Sequence, residues 1–170
     1  MRTLGIGCAL LAAVIGLTAC AGTSKLSAVD QAVVRDADLY AIDRIEKNFH
    51  KSMSMQDIDL MMSLWAPNAT ATFGPGKTAT GKREIRAWWK KSKAFLPTTH
   101  WISDTPAYKV RATANGDRGT LTFECHFIDV DKQNHIIPTA ADIEVAKVNG
   151  HWLITRLIAG SAPKLGASGS

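Results

Sequence analysis

The sequence predicts an α+β fold, with helices first and an antiparallel sheet after them. Three observations carry that expectation. Apolar residues recur at helical spacing over residues 28–52, with no Gly or Pro among them. Two further helical segments follow, each closed by a proline. Everything after His100 is rich in β-branched and aromatic residues and is divided by two Asn-Gly pairs, Asn115-Gly116 and Asn149-Gly150.

In the first helix, Val29, Ala32, Val33, Leu39, Ile42, Ile45, Phe49 and Met53 form the apolar stripe. The second spans about 56–65. Gln56, Asp57 and Asp59 lie in its first turn, where negative charge suits the dipole, and Pro67 stops it. Ile58, Met61, Met62 and Trp65 are its apolar face. Ala69–Phe73 reads as a short strand and Gly74-Pro75-Gly76 as a turn. The third helix begins near Thr80 or Gly81 and ends at Pro97. Ile85, Trp88, Trp89 and Leu96 form its buried stripe. Strands are expected over 99–113, 117–130, 135–148 and 151–159, with a polar turn at Asp131–Asn134. Asn-Gly supplies the positive φ angles of a two-residue hairpin. Residues 108–113 should therefore pair with 118–123, and 143–148 with 151–156. The result is a four-strand meander with helices covering one face.

The amino terminus speaks about location. Arg2 precedes an uncharged apolar run, residues 4–16, too short for a permanent membrane span but suited to a secretory signal. Leu17-Thr18-Ala19-Cys20 resembles the bacterial lipobox, which implies cleavage after residue 19 and lipidation of Cys20. The expected organisation is a signal peptide over 1–19, a lipidated Cys and tether over 20–27, one domain over 28–160 and a flexible tail over 161–170. Ala21 and Gly22, with no aspartate after the cysteine, resemble outer-membrane sorting in a Gram-negative envelope. The mature chain keeps only Cys125 as a thiol, so no intrachain disulfide is available and the fold rests on its core.

The net charge of +5 is uneven. Residues 77–93 carry seven bases against Glu84, or +6, which leaves −1 for the rest. That is the pattern of a solvated helix face, or of a face lying on anionic headgroups. No nucleic-acid motif accompanies it, and no nucleic-acid partner is expected.

Several motifs resemble the SnoaL-like branch of the nuclear transport factor 2-like superfamily. They are Gln56-Asp57-Ile58-Asp59, Leu64-Trp65-Ala66-Pro67-Asn68-Ala69-Thr70, Gly81-Lys82-Arg83-Glu84-Ile85-Arg86 with Trp88-Trp89, and Val148-Asn149-Gly150-His151-Trp152-Leu153-Ile154. The resemblance runs from about 38 to 160. It implies a cone of three helices on a curved, mainly antiparallel sheet, often dimeric through the sheet, with a cavity between the layers. The fold hosts enzymes, binding modules and assembly domains, so the site must decide the function.

Ketosteroid isomerase shares this fold and serves as a worked example of carboxylate tuning. Its tyrosine position falls on Phe49 and its base position on Gly74, and residues 70–76 hold no carboxylate. Only Glu144, at the oxyanion-acid position, keeps a usable group. That chemistry is excluded. Scytalone dehydratase places a histidine where His100 stands, and His126 lies within about one residue of its second. Leu121, Phe123, Cys125 and Phe127 share one strand face, so His126 belongs to the other. The dehydratase aspartate falls near Ser54, with Asp57 and Asp104 close in sequence.

No Cys/His spacing suits a metal and no Gly-rich loop suits a phosphate, so neither metal nor cofactor is expected. Cys125 reads as an inert buried thiol, and His50, His135 and His151 as helix-end or turn residues. His100, Asp104 and Glu144 are the expected polar centre, catalytic if the chain is an enzyme. His100 should face the cavity from the mouth of the cone. Phe49, Trp65, Phe73, Trp88, Phe123 and Phe127 are the expected apolar walls. Three functions stay open: binding of a small apolar or amphipathic molecule, envelope assembly with a filled pocket, and a dehydratase-like lyase acting through His100.

Overall fold

The computed structural model describes residues 27–97, 101–103, 109–132 and 135–160. Its first element, α1 (Ala28–Ser54), starts at a capping box. Ser27 Oγ accepts the Asp30 N–H at 3.1 Å, and Asp30 Oδ2 accepts the Ser27 N–H at 3.3 Å. The later part of the predicted stripe, Ile42, Ile45, Phe49 and Met53, is buried. The early part is not: Val29 is 72% and Val33 63% exposed. The contact with the sheet is marked by Asp38, which accepts Trp152 Nε1–H at 2.9 Å and pairs with Lys147 Nζ at 2.7 Å. The helix runs past that point toward its amino end, so its first turns have no described layer beneath them.

In α2 (Ile58–Ser63), the cap is Asp57, whose Oδ1 accepts the N–H groups of Asp59 and Leu60 at 3.1 and 2.9 Å. The helix closes before Pro67, and β1 (Trp65–Thr72) begins at once. Pro67 is thus a strand residue and not the helix stop. The β1 register shifts between Trp65 and Thr70, across the proline that cannot donate to a ladder. A hairpin through Gly74–Gly76 leads to β2 (Thr78–Thr80), a strand the sequence pattern did not reveal. Next, α3 (Gly81–Lys91) ends at Ser92, whose extended backbone breaks the helix well before Pro97.

The predicted strand over 99–113 is divided into β3 (Trp101–Ser103) and β4 (Lys109–Asn115), and both pair with β5 (Arg118–Asp129). A 3-10 turn at Val130–Lys132 leads to β6 (His135–Val148), and β7 (His151–Gly160) closes the chain's described part. The seven-stranded sheet has the order β2-β1-β7-β6-β5-β3, with β4 also on β5. Every pairing is antiparallel except β1 with β7.

Both hairpins of the meander form. Asn149 and Gly150 adopt φ of 50° and 80° and join Val148 to His151 as expected. The first hairpin is shifted by one residue: Asn115 pairs with Arg118, so the loop is Gly116-Asp117. Only Gly116 needs a positive φ there, and the Asp117 carbonyl is held by the Lys147 N–H at 2.8 Å. Against this sheet, α1 lies over β3, β4, β5 and β7, while α3 lies over β1 and β2. Ile42, Met53, Trp65, Ile85, Leu121, Phe123, Ile154 and Leu157 are buried between the layers. Each such side chain contributes roughly 1.5–3 kcal/mol.

Candidate functional site

The helices do not fill the space above the sheet. A cavity of about 620 Å³ lies between α1, the start of the β1–β2 turn, α3 and its following turn, and strands β5 to β7. Four aromatic rings make one wall. Phe73 and Trp88 stack at 3.3 Å between centroids, Trp89 stands edge-on to both, and Phe49 meets Trp89 at 5.5 Å. The facing wall is the inward face of β5 and β6. Strand alternation brings Phe123, Phe127, Ile137, Thr139 and Ala141 to the cavity. Ser92 and Lys93 border it beyond the end of α3.

Behind this wall lies a polar group that the sequence pattern did not single out. Glu46 and His50 are one turn apart on α1, both fully buried, and Glu46 Oε1 is 2.6 Å from His50 Nδ1. The imidazole packs against Phe123 at 4.8 Å, and its Nε2 has no hydrogen-bond partner among the described residues. Burial works against the charged ring. The neighbouring Cys125 thiol and the Glu46 carboxylate outweigh it and hold the His50 pKa up at about 9. Cys125 in turn lies with its Sγ 3.0 Å from Thr139 Oγ1. A polar contact thus joins β5 to a residue of the cavity wall.

The expectation of His50 as a helix-end residue is therefore corrected: it lies inside α1, which continues to Ser54, and faces the core. The signal that could have found it is positional. Glu46 and His50 share the face of Ile42, Ile45, Phe49 and Met53, so two polar side chains interrupt a core stripe at helical spacing. Cys125 is buried, as read.

The expected site residues divide into three groups. Phe49, Phe73, Trp88, Phe123 and Phe127 line the cavity. Trp65 does not; its place on β1 opposite Ile154 buries it wholly in the core. Glu144 does not either. Ile143 and Val145 take the core face, so Glu144 is turned to solvent, where its Oε1 pairs with Arg156 Nη1 at 2.7 Å. His100 and Asp104 lie outside the described residues, as does Cys20. Gly74, where a ketosteroid isomerase carries its base, borders the cavity without a side chain.

A three-helix layer on a mixed, mostly antiparallel sheet, with a cavity between them, defines the cone class of α+β domains. The sequence profile of the SnoaL-like domain family matches residues 36–158, and the chain belongs to that family. Solved structures agree on the fold. One is a protein of the nuclear transport factor 2-like class with a cystatin-like fold from Novosphingobium aromaticivorans. It superposes with a TM-score of 0.68 at 13% identity, covering 86% of this chain and 96% of that one. A protein described as a putative scytalone dehydratase from the same organism gives 0.62 at 15% identity, over 79% and 89% of the two chains. A type 2 hexachlorocyclohexane dehydrochlorinase gives 0.63 at 17% identity, over 81% and 90%. A comparison with curated protein sequences finds no match.

Proposed function

We propose that the domain binds a small apolar or amphipathic molecule in its cavity. The observation that carries this reading is the cavity itself. At about 620 Å³ it falls within the span of small-molecule sites, about 300–1,000 Å³, and its walls are mostly aromatic and aliphatic with a few polar groups. An assembly domain would fill the same space with side chains. The test is titration with N-phenyl-1-naphthylamine, a neutral probe that brightens in apolar surroundings. Saturable binding is expected, and Ala141→Trp, which fills the space, should abolish it. A wild-type protein that shows no saturable binding would sink the reading.

The location proposal rests on the first twenty residues. Signal cleavage before Cys20 and lipidation of its thiol would leave residues 20–27 as a tether and hold the domain outside the cytoplasm, on the periplasmic side of the outer membrane in a Gram-negative host. Cys20→Ser should abolish acyl labelling and release the protein to the soluble fraction; unchanged membrane retention refutes it. A homodimer through the sheet face opposite the cavity is part of the same proposal. Ile102 and Ile136 flank Ile128 across neighbouring strands on that face and are 51% and 53% exposed, which supports it. Sedimentation analysis that finds only monomer at micromolar concentration would exclude it.

A further inference from the structure

We propose that Thr139, backed by Cys125, is a hydrogen-bond donor centre in the cavity wall, and that the molecule bound there presents a neutral carbonyl oxygen to it. This deepens the binding reading above and rests on it.

The direction of the bond between Cys125 and Thr139 follows from the two groups. Cys125 Sγ and Thr139 Oγ1 are 3.0 Å apart. Sulfur is the weaker acceptor of the two, so the S–H turns to Thr139 Oγ1. The hydroxyl then has one proton left to give. Its alternative among the described residues is the Cys125 carbonyl at 3.4 Å, a long and weak contact. Thr139 lines the cavity, so its proton is within reach of a molecule inside.

The other polar groups at the wall point the same way. Trp89 lines the cavity, and its indole N–H is buried without a partner among the described residues. Ser92 Oγ already donates to the Trp89 carbonyl at 2.8 Å. Among the described residues the wall therefore offers donors and wants an acceptor. A neutral acceptor fits better than an anion. The charges of Glu46 and His50 cancel within their pair, and Lys93, the one cation among the described residues that border the cavity, has an exposed side chain. An anion drawn down to Thr139 would lose its hydration without gaining a counter-charge from the described residues.

The test compares 2-acetylnaphthalene with 2-isopropenylnaphthalene, which replaces the carbonyl oxygen by a methylene of similar shape. With the purified full chain, the ketone should bind about tenfold more tightly than the hydrocarbon. Its carbonyl stretch should move to lower wavenumber when bound. Thr139→Val should remove both the preference and the spectral shift and leave hydrocarbon affinity unchanged, while Thr139→Ser should keep them. Cys125→Ala should shrink the preference. Equal wild-type affinities for the two probes, or a preference that survives in Thr139→Val, would overturn the donor centre while leaving the binding reading standing. A wild-type protein that binds neither probe would overturn both.

Discussion

Replacing Glu46 with Gln removes a buried charge and keeps its shape, which makes the Glu46–His50 pair open to direct measurement. The folded His50 pKa of about 9 stands above the ordinary imidazole value of 6.5. Each tenfold in proton affinity is about 1.4 kcal/mol, so roughly 3 kcal/mol of stability is tied to the bound proton. The folded value is the higher one. The contribution is therefore complete below about pH 6.5 and is lost as pH rises through about 9. Both side chains are fully buried, so solvent screening does not reduce the figure as it would at the surface. Urea unfolding at pH 6, 7.5 and 9.5 should show wild type losing most of this stability at the alkaline end. Glu46→Gln should show a shallower loss, since the contribution of Cys125 remains. Other groups that titrate in this range are common to both proteins and cancel in the comparison. Ring-proton NMR should place the wild-type titration near 9 and the variant's lower. A wild-type His50 titrating at or below 6.5, or identical pH slopes in the two proteins, would refute the reasoning.

Two other outcomes follow from packing and from the cavity wall. At Gly119 an added Cβ would press into the Thr113 carbonyl and come within 2.9 Å of Ile42 Cδ1, so Gly119→Ala should lower unfolding stability by about 1–3 kcal/mol in urea titration; an unchanged midpoint would contradict the close approach of α1 to β5. With Phe49 lacking a hydroxyl and Gly74 a carboxylate, both at the cavity, the protein should leave a β,γ-unsaturated ketosteroid unshifted in an absorbance assay. Turnover above background would show that a carboxylate from another position reaches the site.

Periodicity made the helices and the meander legible because each has a strong local cause. Helical spacing placed Ile42 through Met53 on one face, and positive-φ turn residues placed the β6–β7 hairpin at Asn149-Gly150. What failed were judgments resting on a single local rule. Pro67 looked like a helix stop but sits in a strand, since a proline is tolerated where a ladder is already irregular. Pro97 looked like the end of α3, but the chain had already left the helix at Ser92. β2 has three residues and no periodicity to detect; it exists because β1 offers it an edge.

For the site, the sequence by itself determined which strand face carries Phe123, Cys125 and Phe127 together, because alternation along an extended strand needs no knowledge of its partners. It likewise determined that Phe49 brings no hydroxyl and Gly74 no carboxylate, since a missing functional group is a property of the residue. Only the tertiary structure decided that Trp65 is core and Trp88 is cavity wall, and that Glu144 meets Arg156 in solvent. Only it brought His50 against Phe123, seventy-three positions later in the chain, and Cys125 against Thr139. Those contacts depend on the register of β5 with β6 and on the line α1 takes across the sheet. Both are set by the summed packing of many side chains, and no short stretch of sequence encodes either of them.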